Sequence, residues 1–227
     1  MVEFLFLDLD DTILDFHKAE RIALSKTLLD FGIAPEEAVL KRYHEINKSH
    51  WERLERRELT REQVLLGRFQ VFFQELGKSA DPAVVAADYE NNLSQGHYFL
   101  PGAEETVKLL HKNYRLFLAS NGTASVQHGR LTSAGLYPWF EKVFISQEIG
   151  FNKPDPAYFS ACFSQIPNFR KETALMVGDS LTSDILGGIH AGIRTCWVNP
   201  AGKEAGAIHP DYQIKDLQAL PALLETL

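Results

Sequence analysis

Two kinds of hydrophobic pattern alternate along much of this chain. Five short apolar runs, Glu3–Leu9, Arg115–Ser120, Lys142–Ser146, Ala174–Gly178 and Thr195–Val198, are rich in Val, Ile, Phe or Leu and bounded by turn residues. That pattern predicts strands covered on both faces. Between them, Ala103–His111, Ser125–Ala134, Pro156–Ser164 and Ser183–Ala191 carry apolar residues at helical spacing. Strand–helix alternation predicts an α/β, Rossmann-like core built on a parallel sheet with right-handed crossovers.

One stretch breaks the alternation. From about Phe16 to Gly96 there is no strand-like run, only amphipathic helical patterns, with breaks near Gly32-Ile33-Ala34-Pro35, Thr60 and Gly77 to Pro82. Thr60-Arg61-Glu62-Gln63 fits a capping box, and Asp81-Pro82 fits an N-cap followed by proline in the first turn. An all-helical block after the first strand reads as an inserted cap domain. The expected division is a core of residues 1–15 and 97–227 and a helical cap of residues 16–96. No internal repeat or low-complexity region interrupts either part.

Composition narrows the class. The 227 residues are 45% hydrophobic and 23% charged, enough apolar material for a packed core, which excludes a disordered chain. Thirty acids against 23 bases leave a net charge of −7. Such a surface repels a phosphate backbone, so a nucleic-acid partner is not expected. Cys162 and Cys196 lie far apart and outside any C-x-x-C pattern. Neither a disulfide scaffold nor a structural zinc organises the fold, which suggests a reducing compartment. The run Phe4-Leu5-Phe6-Leu7 is too short for a signal segment and no stretch is long enough to span a bilayer. The expectation is a cytoplasmic protein with no membrane partner, monomeric or weakly self-associating.

Four polar motifs follow predicted strands or the loops between them. Asp8-Leu9-Asp10-Asp11-Thr12 closes the first strand, at the end where parallel sheets bind ligands. Ser120-Asn121-Gly122-Thr123 offers a hydroxyl, backbone N–H groups and a glycine before a helix, a suitable anion cradle. Lys153 sits in Gly150-Phe151-Asn152-Lys153-Pro154-Asp155-Pro156, a loop stiffened by two prolines. Gly178-Asp179-Ser180-Leu181-Thr182-Ser183-Asp184 places two aspartates at a strand end and in the helix start that follows. Each motif alone also reads as an ordinary turn, loop or helix cap.

Together they are more specific, because all four converge on one edge of the expected sheet. Two unit charges about 4 Å apart repel by roughly 4 kcal/mol at an effective dielectric near 20. Clustering Asp8, Asp10, Asp179 and Asp184 therefore calls for a cation. An all-oxygen set without His or Cys favours Mg²⁺ over zinc. Lys153 and the Ser120 hydroxyl are then expected to face the metal across a gap that suits a phosphate.

The order Asp-x-Asp-x-Thr, Ser-Asn, Lys-Pro and Gly-Asp-Ser-x-x-x-Asp resembles the haloacid dehalogenase-like hydrolase superfamily over essentially the whole chain. That resemblance implies a nucleophilic Asp8 that becomes an aspartyl phosphate. It implies Asp10 as general acid/base with its backbone carbonyl on the metal, and Ser120, Asn121 and Lys153 at the phosphate. Asp8, Asp10 and Asp179 are the implied Mg²⁺ ligands, with Thr12 and Asp184 in support. The helical insert corresponds to a C1-type cap. In the superfamily's dehalogenases the second aspartate is replaced, commonly by tyrosine; this chain retains Asp10, which implies phosphoryl transfer. A closer similarity, including Asp10 to Phe16, Gly150 to Pro154 and Thr195 to Pro200, joins it to the bacterial pyrimidine 5'-nucleotidase branch, the YjjG/YfnB-like group.

The resulting expectation is a Mg²⁺-dependent phosphatase acting on a small phosphate monoester, a nucleoside monophosphate first. A sugar-phosphate phosphatase or phosphomutase is the alternative on the same machinery, and an inactive phosphate-binding protein the alternative from another class. In the cap, Tyr43, His44, Asn47 and Trp51 recur at roughly helical spacing, a face that could stack on or hydrogen-bond a base, and His44, Asn47 and Trp51 are its candidate substrate contacts. Packing against neighbouring cap helices is the preferred reading of Tyr43, Ile46 and Trp51. Phe16 and His17 follow the first motif closely enough to be candidates too. Phe69, Phe72 and Phe73 read as core, and Arg53, Arg56 and Arg57, among glutamates, as a solvated face.

Overall fold

The apolar runs become the strands of one sheet. In the computed structural model, which describes residues 1–227, these are β1 (Phe4–Leu7), β2 (Arg115–Ser120), β3 (Lys142–Ile145), β4 (Ala174–Gly178) and β5 (Arg194–Val198). A sixth, β6 (Tyr212–Ile214), is not apparent from the hydrophobic pattern. All pair in parallel in the order β3-β2-β1-β4-β5-β6.

Side chains alternate across a strand, so each strand feeds two separate cores. Leu5, Leu7, Leu116, Leu118, Leu175 and Val177 join α5 (Ala103–Leu110), Leu131 of α6 (Ala124–Ser133) and the C-terminal α10 (Leu220–Leu224) on one face. Phe4, Phe6, Phe117, Phe144 and Met176 join α8 (Pro156–Phe163) and Ala191 of α9 (Leu186–Ala191) on the other. A short α7 (Ser146–Ile149) follows β3 directly. The Phe6 and Phe117 rings stack 5.2 Å apart, and each such fully buried ring contributes about 1.5–3 kcal/mol through area removed from water.

The chain divides into two units, Met1–Phe16 with His97–Leu227, and His17–Gly96. The second is all helix: α1 (Phe16–Asp30, whose first residue belongs to the sheet unit), α2 (Glu37–Glu55), α3 (Arg61–Glu75) and α4 (Pro82–Ser94). The Thr60–Gln63 capping box forms in both directions, and Asp81 caps α4 ahead of Pro82. Tyr43, Phe69, Phe72 and Tyr89 are buried at its centre, with Tyr43 5.2 Å from both Phe69 and Phe72. Phe73 is buried with them, while Arg53 and Arg56 pair with Glu58 in solvent. No helix is long and apolar enough to cross a membrane.

The parallel sheet fixes where chemistry can gather. β1, β2 and β4 are neighbours running the same way, so Asp8, Asn121 and Asp179, each the residue after its strand, emerge at the same edge.

Candidate active site

The expected strand Glu3–Leu9 stops its formal pairing at Leu7, but Asp8 still donates its N–H to the Val177 carbonyl at 2.9 Å. That bond holds Asp8 in register with β4. Beyond it the chain turns: Ile13 and Leu14 both donate to the Leu9 carbonyl, and Asp11 donates to Leu14. Asp11 adopts φ 54°, a conformation that Asp tolerates better than most residues. Its carboxylate accepts the Phe16 N–H at 2.9 Å.

Lys153 is buried, and its ammonium donates to Asp8 Oδ1 at 2.6 Å, to Asp184 Oδ1 at 2.7 Å and to the Ala119 carbonyl. An ammonium has three N–H donors, and all three are engaged. Lys153 thus sits between two carboxylates instead of facing a gap across from them. Asn121 supports this placement from the end of β2. Its Oδ1 accepts the Lys153 N–H at 2.8 Å and its Nδ2 donates to the Lys153 carbonyl at 2.9 Å. The Asn121 side chain therefore grips the lysine loop, and its Nδ2 also donates to Ser183 Oγ at 3.2 Å.

Asp179 follows β4, and Trp197 of β5 donates its indole N–H to the Asp179 carbonyl at 2.8 Å. The expected helix from Ser183 begins instead with a π-helical turn, Leu181–Ile185. Ser180 caps that turn by accepting the Ser183 N–H, and both Asp184 and Ile185 donate to the Ser180 carbonyl. Wide turns of this kind are frequent at functional sites. Here the turn brings the Asp184 carboxylate back against the strand end, where Ser180 N donates to Oδ2 at 3.1 Å. A Cβ at Gly178 would lie 2.2 Å from that oxygen, so only glycine leaves Asp184 its place.

Asp8, Asp179 and Asp184 each present a carboxylate oxygen, and these oxygens lie within 4.8 Å of one another. Their burial has electrostatic consequences. Burial pushes Asp8 up to about 8, with Asp184 and Asp10 adding to the rise and Lys153 opposing it. Burial likewise raises Asp179 well above the ordinary carboxylate value, reinforced by Asp184 and Asp8. Burial alone would lower the Lys153 ammonium, but Asp184 and Asp8 reverse that and hold it charged. One buried cation facing three carboxylates leaves the cluster short of positive charge. A divalent cation fits that deficit, and hard oxygen donors without sulfur or imidazole fit an ion of the magnesium type.

Asp10 stands apart from the three. Its carboxylate accepts from Arg130 Nη1, and from Gln127 Nε2 at 2.7 Å. Arg130 is fully buried, with its guanidinium 5.8 Å from the centre of the Phe16 ring. Gln127 also donates to Ser120 Oγ at 2.8 Å, linking the expected acid/base to the expected phosphate residue. The four-aspartate cluster anticipated from the motifs is thus a cluster of three, with the fourth carboxylate paired to its own cation. Gln127 and Arg130 were missed from the sequence; the available signal was two polar residues at i, i+3 on the buried face of α6, beside Val126 and Leu131. Thr12 is buried, and its hydroxyl has no hydrogen-bond partner.

In the helical unit, Asn47 is buried with its amide engaged by Glu20 at 2.7 Å and Arg68 at 2.9 Å. It belongs to an interior polar network and not to an open face. His44 Nδ1 lies 2.6 Å from Glu20 Oε2, and Trp51 lies under the Arg61 guanidinium at 5.6 Å. Glu20 and Arg68 were not singled out from the sequence.

A parallel sheet with carboxylates and a lysine gathered at its strand ends is the setting in which α/β enzymes place their ligands. The chain belongs to the haloacid dehalogenase-like hydrolase family, whose model matches residues 2–192. It is 38% identical over 221 residues to the HAD-hydrolase YfnB of Bacillus subtilis, covering 97% of this chain and 94% of YfnB. It is 38% identical over 220 residues to the pyrimidine 5'-nucleotidase PynA of Streptococcus pneumoniae, covering 96% of this chain and 93% of PynA. Over 223 residues it is 30% identical to the pyrimidine 5'-nucleotidase YjjG of Escherichia coli, covering 98% of this chain and 97% of YjjG. The crystal structure of YfnB bound to magnesium superposes with a TM-score of 0.94 over 98% of each chain.

Proposed function

We propose that this protein is a Mg²⁺-dependent phosphatase, acting through an aspartyl phosphate on pyrimidine nucleoside 5'-monophosphates. The observation that carries the reading is the division of labour among carboxylates. Asp8 is held by Lys153 beside two further aspartates, while Asp10 is held separately by Arg130 and Gln127. PynA and YjjG, named pyrimidine 5'-nucleotidases, support the substrate class, and magnesium-bound YfnB supports the metal.

Asp8, Asp179 and Asp184 would hold Mg²⁺, joined by the Asp10 carbonyl that the family resemblance implies. When bound, the ion supplies the positive charge that lets two anions approach. In the first half-reaction the Asp8 carboxylate attacks phosphorus and the ester P–O bond breaks, leaving an acyl phosphate on Asp8. Asp10 gives its proton to the departing nucleoside oxygen. In the second, Asp10 takes a proton from water, the water oxygen attacks phosphorus, and Asp8 is regenerated with release of inorganic phosphate. Two easier displacements replace one hard one, and general acid–base help typically contributes about 10²–10⁴-fold. Lys153 keeps Asp8 oriented, and Ser120, tied to Asp10 through Gln127, positions the phosphoryl oxygens. The helical unit, His17–Gly96, is assigned as the cap that selects the substrate.

A substrate panel with Mg²⁺ present tests the reading. Phosphate release from UMP, dUMP or dTMP well above that from hexose phosphates is the expected result. Preference for hexose phosphates would replace the nucleotidase with a sugar-phosphate phosphatase. Interconversion of phosphate positions with little free phosphate would replace it with a mutase.

A further inference from the structure

The helical unit contains a second constellation with ligand chemistry unlike that of the acidic cluster. His17 and Glu20 stand three residues apart on α1, a spacing that puts two side chains on one helix face. His44 of α2 approaches the same carboxylate, Nδ1 to Glu20 Oε2 at 2.6 Å. The two imidazole rings are 4.8 Å apart between centroids. One nitrogen from each histidine and one Glu20 oxygen all lie within 4.8 Å of one another. The other Glu20 oxygen accepts from Asn47 at 2.7 Å; Asn47 in turn accepts from Arg68, which faces Glu90 at 3.6 Å. A chain of side chains therefore anchors one oxygen of a buried carboxylate and leaves the other against His44.

We propose that His17, Glu20 and His44 bind a divalent transition-metal ion of the zinc class. Imidazole nitrogens with a single carboxylate select zinc, copper or nickel over magnesium. The outer hydrogen bond from Asn47 is the kind that fixes a ligating carboxylate. Tetrahedral coordination at roughly 2.0–2.2 Å sets ligand atoms about 3.4 Å apart. That spacing falls between the 2.6 Å of His44–Glu20 and the 4.8 Å limit of the set, so modest side-chain rotations complete the site. His17 is exposed and the His44 side chain is 34% exposed, which leaves an entry route and room for water as a further ligand. The bound ion ties α1 to α2.

Zinc and copper(II) are the probes, used on the full chain in excess Mg²⁺. Calorimetric titration is expected to give a zinc equivalent that Asp179→Asn retains and His17→Ala weakens more than tenfold. Pulsed EPR of the copper(II) form is expected to show two imidazole nitrogens in the parent and one in His17→Ala. His17 is exposed, so that variant should keep the parent far-UV dichroism; His44→Gln, which retains a hydrogen-bonding group beside Glu20, should also lose the tight equivalent. Zinc stoichiometry and affinity unchanged in both histidine variants, or a copper spectrum with oxygen ligands only, would overturn the proposal.

Discussion

Replacing Lys153 with methionine removes a buried ammonium while keeping much of its volume, and the consequences follow from three distances. The ammonium lies 2.6 Å from Asp8 and 2.7 Å from Asp184, and Asp8, Asp179 and Asp184 crowd within 4.8 Å. At an effective dielectric near 20, each of the two contacts is worth roughly 6 kcal/mol of gross attraction. Desolvation offsets much of that, and breaking a buried pair from one side costs about 3–5 kcal/mol in practice. For a chain of this length, about 2–4 °C of melting temperature accompanies each kcal/mol. Lys153→Met should therefore melt roughly 6–20 °C below the parent at pH 9 in EDTA, followed by circular dichroism. The loss should shrink at pH 6, because burial raises Asp8 and Asp179 enough for them to take up protons there. Saturating Mg²⁺ should restore part of it at pH 9 by binding only the folded state. A melting temperature within 2 °C of the parent at pH 9, or a deficit identical at both pH values, would refute the claim that Lys153 neutralises this cluster.

Metal affinity should depend on pH with a definite sign. Asp8 is raised to about 8 without metal, so below that value it holds a proton that ligation must displace. Mg²⁺ affinity should fall about tenfold per pH unit per displaced proton as pH drops below 8; calorimetry showing a flat profile from pH 6 to 8 would contradict the shift. The same raised value makes the metal-free fold bind a proton that the unfolded chain releases, so stability from Asp8 is present at low pH and is lost as pH rises through about 8, measurable by urea titration. Gly178→Ala should push Asp184 out of place, since the new Cβ would sit 2.2 Å from Oδ2; about 1–3 kcal/mol of stability and roughly 10²-fold in kcat are expected losses, and parent-like kinetics would show that Asp184 is not needed. Arg130→Met should cost about 1.5–3 kcal/mol in urea unfolding by removing a charged hydrogen bond to the partly exposed Asp10 and should lower kcat more than it raises KM, with Arg130→Lys recovering part of both; unchanged values would remove Arg130 as the partner that positions Asp10.

How far the sequence reveals this molecule depends on the physical signal each part carries. β1, β2, β4 and β5 announce themselves because they are almost wholly buried, and a continuous apolar run has few other uses; β3, at the sheet edge with Lys142 exposed, is marked by its Val143-Phe144-Ile145 run alone. β6 does not, because Tyr212-Gln213-Ile214 is short, lies at the sheet edge and buries only Ile214. Asp8, Lys153, Asp179 and Asp184 were legible as residues of one site because each follows a strand or its connecting loop, and parallel strands deliver their ends to one edge. Which carboxylates would actually meet was not legible. Asp10 lies two residues from Asp8, and alternation along an extended strand would aim both the same way. Ladder pairing ends at Leu7 and the turn begins at Asp11, while the Asp10 carboxylate goes to Arg130 and Gln127 of α6. The partners Gln127 and Arg130, like Glu20 and Arg68 in the helices, are polar residues on buried faces. A hydrophobic pattern registers those positions only as interruptions.

That turn away from the cluster is itself informative about the chemistry. Had Asp10 joined the cluster, it would share its cation and its protons with Asp8 and could not titrate independently of it. Here each group has its own environment. Asp8 shares Lys153 with Asp184 and is buried next to Asp179, whereas Asp10 is fastened to Arg130 and Gln127 on a different helix. Assigning acid–base and nucleophilic tasks to two carboxylates of identical intrinsic chemistry requires environments that differ in this way. Gln127 adds a constraint, since one amide nitrogen donates to both Asp10 and Ser120. Any movement of the Asp10 carboxylate therefore changes the hydrogen bonding of Ser120. Asp10 and Ser120 are coupled through a single side chain of α6.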